Sequence, residues 1–176
     1  MIPLILKILK TRMVNEDAPA TREEWRVRAA TIEDKIVKML GRALVIRHVD
    51  AGSCNGCELE IHALNNPYYN IESLGIRFAA SPRHADLLLV TGPVTKAMEG
   101  ALRIAYEAMP HPKLVVAVGD CGCTGGIWGE SYATCGRVAN VIPVDVAVPG
   151  CPPPPTAILQ GILTAIATKA ASTPGP

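Results

Sequence analysis

The sequence predicts an α/β fold, in which helices cover both faces of an open parallel sheet. Two continuous apolar runs, residues 86–90 and 114–118, are typical of strands that are buried on both faces. Other apolar runs alternate with loops and with segments of helical spacing, as strand–loop–helix units do. The length of 176 residues is sufficient for one domain around a single core.

Local signals place the elements in chain order. Thr21 and Glu24 form a capping box at the start of an amphipathic helix, which Gly41 ends. The last predicted helix follows four prolines, whose fixed φ suits the start of a helix. The predicted strands are residues 43–49, 75–79, 86–90, 114–118 and 144–148. The predicted helices between and after these strands are residues 58–64, 94–109 and 156–167.

Four cysteines stand in loops that are rich in glycine and proline. Cys54 and Cys57 enclose Asn-Gly, Cys121 follows Gly-Asp, and Cys151 lies between Pro-Gly and Pro-Pro. We expect each thiol to lie in a loop rather than inside a regular element. Three of these loops follow predicted strands, so all four thiols are expected to meet at the carboxyl edge of the sheet. An iron–sulfur cluster is the group that this pattern favours.

Three other uses of the cysteines fit the pattern less well. Structural zinc sites usually take two close pairs of ligands, whereas here one pair precedes two widely separated cysteines. A thioredoxin-type redox motif would leave Cys121 and Cys151 unexplained. A disulfide framework suits small secreted domains, and this chain shows no secretory signal and is large and apolar.

Composition narrows the range of partners. A formal net charge of +1 and only 4% aromatic residues give no support for binding nucleic acid. Hydrophobic residues make up 49% of the chain, yet no run approaches the roughly 20 apolar residues that cross a bilayer. The excess of apolar residues therefore indicates large interfaces with other subunits. The sequence contains no glycine-rich phosphate loop, so nucleotide or flavin binding is not supported.

The chain divides into four parts. Residues 1–20 are predicted to be a docking segment and linker, and residues 21–41 the amphipathic helix. Residues 42–170 form the predicted iron–sulfur α/β domain, and residues 171–176 a tail. The first ten residues are apolar with basic residues toward one end, so we expect them to dock on a membrane-embedded subunit or to lie on the membrane surface.

With these loops placed, the chain resembles the small subunit of membrane-bound, energy-converting group 4 [NiFe]-hydrogenases. It also resembles a related protein, the 20 kDa subunit of complex I. The resemblance covers about residues 43–167. The segments that carry it are residues 52–60 (Gly-Ser-Cys-Asn-Gly-Cys-Glu-Leu-Glu), 81–86 (Ser-Pro-Arg-His-Ala-Asp), 91–95 (Thr-Gly-Pro-Val-Thr), 119–121 (Gly-Asp-Cys) with 125–126 (Gly-Gly), and 142–145 (Ile-Pro-Val-Asp) running to 149–153 (Pro-Gly-Cys-Pro-Pro).

The resemblance implies a flavodoxin-like domain that holds one [4Fe–4S] cluster, the proximal cluster beside the active site of a partner subunit. Cys54, Cys57, Cys121 and Cys151 match the four ligands of the family. Cys123 falls at a position that is often not a ligand, and Cys135 matches no ligand of the family.

The spacing of the first pair separates two branches of this superfamily. The complex I branch has two adjacent cysteines where this chain has Cys54-Asn-Gly-Cys57, so the resemblance favours the hydrogenase branch. It implies an electron-transfer subunit, a peripheral component on the cytoplasmic face of the cell membrane. The implied partners are a NiFe-bearing large subunit, where the chemistry takes place, a ferredoxin-like polyferredoxin subunit and a membrane-embedded subunit. The alternative is the equivalent subunit of a complex I-like or sulfur-reducing oxidoreductase.

Three charged residues near the matching segments are candidates for the interface or for proton coupling. Glu58 and Glu60 directly follow Cys57, where a carboxylate could couple cluster charge to protonation or complement the dipole at a helix start. Arg83 could compensate the charge of the cluster, bind the partner, or simply be a surface residue. Asp145 lies in an apolar run, where a carboxylate needs a hydrogen-bond partner, so we expect a structural role.

Overall fold

The computed structural model describes residues 41–172, together with Asp34 and Ile36. Five strands are present in this part of the chain: β1 Leu44–Asp50, β2 Ile76–Phe78, β3 Leu87–Thr91, β4 Leu114–Val118 and β5 Val146–Val148. The four α-helices are α1 Gly56–Ala63, α2 Lys96–Ala108, α3 Gly119–Thr124 and α4 Pro155–Ser172. Short 3₁₀ turns cover Ile71–Leu74, Pro82–His84 and Val138–Asn140.

The five strands form one sheet in the order β2-β1-β3-β4-β5, and every neighbouring pair is parallel. This is the strand order of flavodoxin-like folds, in which the order reverses between β1 and β3. The predicted fold class is therefore confirmed. Because the strands are parallel, the loops that follow them all emerge at one edge of the sheet.

The core is divided between the two faces of the sheet. Leu87 and Leu89 of β3 pack with α1 and α4, whereas Leu88 and Val90 pack with α2, because successive side chains of a strand point to opposite faces. Both layers are apolar, which explains why β3 and β4 have no alternating pattern and are buried throughout. Helices on both faces were predicted and are present.

Several boundaries differ from the prediction. Helix α2 begins at Lys96 rather than residue 94, because Thr95 is extended and donates its amide to Ala51 O. Helix α4 covers Pro155–Ser172 rather than residues 156–167. Helix α3 was not predicted. Within the described residues, no helix has the length and apolar character needed to cross a membrane.

The predicted N-terminal elements lie largely outside the described residues. Of the helix predicted for residues 21–41, Asp34 and Ile36 are helical, and Ile36 is buried in the cluster that contains α1 and α4. Gly41 has a φ of 65°, the left-handed conformation expected of a residue that ends a helix. The docking segment of residues 1–20 is not described.

Replacement of Leu89 by alanine is expected to destabilise the domain by about 3–5 kcal/mol, because the side chain is fully buried in a core that fills only partly after truncation. Urea denaturation followed by circular dichroism would measure the change. Ile104→Ala is the matched control, since Ile104 is 69% exposed on α2 and its loss should cost only about 0.5 kcal/mol. Equal losses in the two variants would contradict this description of the core.

Candidate metal centre

The four predicted thiols meet at the carboxyl edge of the sheet. Cys54 lies in the loop after β1 and Cys151 in the loop after β5, and both are exposed. Cys57 and Cys121 are half-buried, in α1 and in α3. The prediction that every thiol lies in a loop is therefore wrong for these two. Each lies in the first turn of a helix that begins at a glycine, Gly56 or Gly119, directly after a loop or strand at the sheet edge.

The thiols are close enough to influence one another electrostatically. Burial raises the pKa of Cys57 to about 12, with further contributions from Glu58 and from the other three thiols. Burial also raises the pKa of Cys121, and Cys151 and Cys54 add to the effect. Because a metal ligand must be a thiolate, a cationic metal group bound beside Cys57 and Cys121 would favour the loss of their protons.

Glycines provide the space beside two of the thiols. A β-carbon added to Gly119 would lie 2.6 Å from Cys57 Sγ, and one added to Gly126 would lie 2.9 Å from Cys121 Sγ. Both glycines have positive φ angles, 84° and 55°, which glycine adopts without steric cost. Any side chain at these two positions would displace a thiol.

The loop before Cys54 is held by Asp50. The Asp50 carboxylate accepts hydrogen bonds from the amides of Gly52 at 2.8 Å and Ser53 at 2.7 Å. Burial acts to raise the pKa of Asp50, but the hydrogen bonds from Ser53 and Gly52 outweigh it, so the pKa lies below its ordinary value. On the other side of the loop, Gly92 approaches so closely that an added β-carbon would lie 2.5 Å from Ser53 N.

The donor set at this edge consists of four cysteine thiols. Across residues 41–172, no group of three or more His, Cys, Asp or Glu side chains converges closely enough for one metal ion. A four-iron cluster is larger and takes four cysteine thiolates. The four thiols and the glycine-lined space beside them fit such a group.

Glu58 is buried, and its carboxylate lies in an unusual environment. It is 6% exposed in the first turn of α1, and neither carboxylate oxygen has a hydrogen-bond partner in the part of the chain that the structure describes. His48 Nε2 lies 3.7 Å from Glu58 Oε1 and 3.0 Å from Thr91 Oγ1. Burial lowers the pKa of His48, although Glu58 and Asp50 oppose this shift. Glu58 and His48 line a cavity of about 340 Å³ whose wall also includes Arg47 and Phe78.

The other two charged candidates are more accessible. Glu60 is half-buried on α1, and Arg83 is exposed in the 3₁₀ turn Pro82–His84. Neither makes an ion pair within the described part of the chain. The structure therefore leaves both available to a partner.

Cys123 and Cys135 do not join the group of four thiols. Cys123 Sγ lies 3.6 Å from Ala117 O, and burial raises the pKa of its thiol to about 11. Cys135 is buried against the opposite layer of the core and lies 3.3 Å from Glu99 Oε2. The sequence contained no signal for this pairing, because Glu99 and Cys135 are 36 residues apart.

The chain is similar in sequence and in fold to known proteins. Residues 54–165 match the family described as NADH ubiquinone oxidoreductase, 20 Kd subunit. The chain belongs to this family. Members of the 20 kDa-subunit family include the "Probable membrane-bound hydrogenase subunit mbhJ" of Pyrococcus furiosus, which is 47% identical over 132 residues, 75% of this chain and 79% of that protein.

Two further relatives belong to different enzyme complexes. Formate hydrogenlyase subunit 7 of Escherichia coli is 42% identical over 78% of this chain, but the match spans only 54% of that protein. A subunit of the NADH-quinone oxidoreductase of Desulfovibrio desulfuricans is 44% identical over 61% of this chain and 58% of its own length. The 20 kDa-subunit family thus supplies subunits to more than one kind of oxidoreductase complex.

A solved structure also resembles this fold. A chain in the structure of the membrane-bound sulfane sulfur reductase, an archaeal respiratory membrane complex, aligns with a TM-score of 0.65 and 33% identity. The alignment covers 80% of this chain and 76% of the other. The predicted membership of the hydrogenase and complex I superfamily is confirmed.

Proposed function

We propose that this chain is the electron-transfer subunit of a membrane-associated [NiFe]-hydrogenase, and that it carries the proximal [4Fe–4S] cluster on Cys54, Cys57, Cys121 and Cys151. The observation that carries the proposal is the meeting of these four thiols at one sheet edge. The spaced pair Cys54-Asn-Gly-Cys57 favours the hydrogenase branch, and two of the similar proteins are named as hydrogenase or hydrogenlyase subunits.

The chain's own residues would hold and enclose the redox group. When bound, the cluster supplies a one-electron carrier. The four cysteines would ligate its irons as thiolates, and Gly119 and Gly126 leave the space that the ligand loops need. Asp50 holds the Cys54 loop in place. The potential would depend on burial and on the charges near the sulfurs, among them Glu58.

A large subunit is the partner that would complete this edge. Two of the four thiols are exposed. Apolar side chains that follow Cys57 and Gly126 closely in sequence also face solvent: Leu59 is 62% exposed, Ile127 91% and Trp128 61%. Exposed apolar groups around a redox site are typical of a protein interface. We propose that the NiFe-bearing subunit covers them. A ferredoxin-like subunit and a membrane-embedded subunit would complete the complex, on the cytoplasmic face of the membrane.

Glu58, Glu60 and Arg83 are proposed to act at this interface or in proton coupling. The Glu58 carboxylate is buried and makes no hydrogen bond to any described residue, so a hydrogen-bond donor that reaches the cavity of about 340 Å³ would stabilise it. Glu60 and Arg83 are accessible enough to pair with charges of another subunit.

The purified membrane complex is expected to contain nickel and to evolve H₂ from a reduced low-potential carrier such as ferredoxin. In the Cys54→Ser complex, H₂ evolution should fall to background while nickel is retained, because electrons no longer reach the partner's active site. Metal analysis and gas chromatography would measure both quantities, with Cys123→Ser as the control that keeps its activity.

The second candidate function is the same cluster subunit in a complex I-like or sulfur-reducing oxidoreductase. The similarity to the NADH-quinone oxidoreductase relative and to the sulfane sulfur reductase favours it. If the purified complex lacked nickel and yet reduced quinone or sulfur compounds, the hydrogenase assignment would be wrong and the second candidate function would take its place.

A further inference from the structure

Three aspartates tie neighbouring strands of the sheet by the same pair of hydrogen bonds. In each, the aspartate amide donates to the backbone carbonyl of one residue in, or just after, a neighbouring strand, and the carboxylate accepts the amide of that same residue. Asp86 makes this pair with Val45, at 2.8 and 3.0 Å, and Asp145 makes it with Val115, at 2.9 and 2.7 Å. Both lie at the amino ends of strands.

Asp120 makes the third pair, and it lies at the opposite edge. Its amide donates to Gly150 O at 2.8 Å, and its carboxylate Oδ1 accepts the Gly150 amide at 2.8 Å. Strands β4 and β5 are therefore joined at both ends, by Asp145 where they begin and by Asp120 where they finish. The residues that follow the Asp120 pair are Cys121 and Cys151.

The backbone conformation at Gly150 restricts the Asp120–Gly150 pair to one geometry. Gly150 has a φ of 137°, and a β-carbon added to it would lie 2.6 Å from Pro153 Cα, so the loop admits only glycine there. Asp120 also directly precedes Cys121 in α3, so its carboxylate charge lies close to a ligand thiol of the proposed site. By contrast, Asp50 bonds only to residues two and three positions ahead in its own loop.

We propose that Asp120 is a positioning residue for the cluster, with two separable effects. Its hydrogen bonds hold the Cys121 and Cys151 loops at a fixed separation, and its negative charge keeps the reduction potential of the cluster low. The proposal rests on the proposed function, since it concerns the group that the four thiols would hold. Groups behind the ligands of a metal site act in this way on ligand geometry and on potential.

Substitutions at Asp120 separate the two effects. Asp120→Ala removes both the hydrogen bond from the Gly150 amide and the carboxylate charge. In this variant, the purified complex should lose iron to a chelator roughly 10- to 100-fold faster than the wild type. Asp120→Asn keeps a carbonyl oxygen that can accept the Gly150 amide, so iron loss should stay near the wild-type rate. Its midpoint potential, from an EPR-monitored titration, should move to a more positive value.

Asp145 provides the matched control. Asp145→Ala removes the same pair of bonds from the same two strands, at the end away from the thiols, so it should leave the rate of iron loss and the EPR signal unchanged. Asp145→Asn should leave the potential unchanged. Equal iron loss in the two alanine variants would show that the Asp120 pair has only a structural role. A wild-type potential in Asp120→Asn would overturn the electrostatic effect.

Hydrogen exchange on the iron-free chain distinguishes failure of this proposal from failure of the proposed function. The Gly150 amide should exchange faster in Asp120→Ala than in wild type or Asp145→Ala, whatever the chain binds. Unchanged exchange would overturn the link between the loops. A wild-type complex that contains no iron, with Gly150 exchange as expected, would overturn the cluster assignment and with it the role of Asp120 in positioning a cluster.

Discussion

Cys151→Ser is expected to abolish the reduced-state EPR signal of a four-iron cluster and to lower the iron content of the complex. A serine hydroxyl is a much poorer ligand than a thiolate for iron in such a cluster. Neither of the other two thiols can replace Cys151 as a ligand, because Cys123 lies against Ala117 O and Cys135 against Glu99. The same loss is expected for Cys54→Ser, Cys57→Ser and Cys121→Ser.

Cys123→Ser and Cys135→Ser are the controls for this series, and both should retain signal and iron. EPR spectroscopy and iron analysis of the purified complex, with every variant expressed alongside the same partner subunits, would measure the outcome. An intact signal in Cys151→Ser would remove that residue from the ligand set. Loss of the signal in Cys123→Ser would place a fifth thiol at the site.

The meeting of the four thiols at one sheet edge could be predicted from the sequence, because it follows from the parallel arrangement of the strands. The apolar runs of β3 and β4 can be buried only in a sheet covered on both faces, and such sheets are parallel. Parallel strands bring their following loops to one edge, so cysteines separated by nearly one hundred residues in sequence could be placed together without coordinates. The strand order of the sheet agrees with this reasoning.

The local geometry could not be predicted in the same way. Helix α3 contains Gly119-Asp-Cys-Gly-Cys-Thr124, a segment whose glycines favour a loop by intrinsic propensity. It becomes helical because it packs under β3, β4 and β5, and such contacts override propensity. The Asp120–Gly150 pair also depends on the register of β4 with β5, which no local signal specifies.

The burial of the Glu58 carboxylate was the other feature that the sequence could not predict. Glu58 was identified as a candidate because it follows Cys57, with its position at a helix start as an equal alternative. The structure places it in the first turn of α1, but 6% exposed and with no hydrogen-bond partner among the described residues. Glu58 Oε1 lies 3.7 Å from His48 Nε2 of β1, and residue spacing alone contains no measure of this burial.

Gly119→Ala is expected to leave the domain folded and to remove most of its iron. The φ of 84° costs an alanine about 1–2 kcal/mol. The added β-carbon would lie 2.6 Å from Cys57 Sγ, which can move away by rotation about its own side-chain bond. That rotation relieves the clash and preserves the fold, but it turns a ligand sulfur away from the other three thiols.

Gly75→Ala separates the backbone effect from the displaced ligand. Gly75 has a φ of 74°, close to that of Gly119, and nothing lies within 4 Å of the position of an added β-carbon. Both variants should therefore lose about 1–2 kcal/mol of stability in urea denaturation, whereas only Gly119→Ala should lose iron and the EPR signal. If Gly119→Ala kept its iron, Cys57 would not be a ligand in its present rotamer. If Gly75→Ala also lost iron, backbone strain rather than the position of the sulfur would control binding.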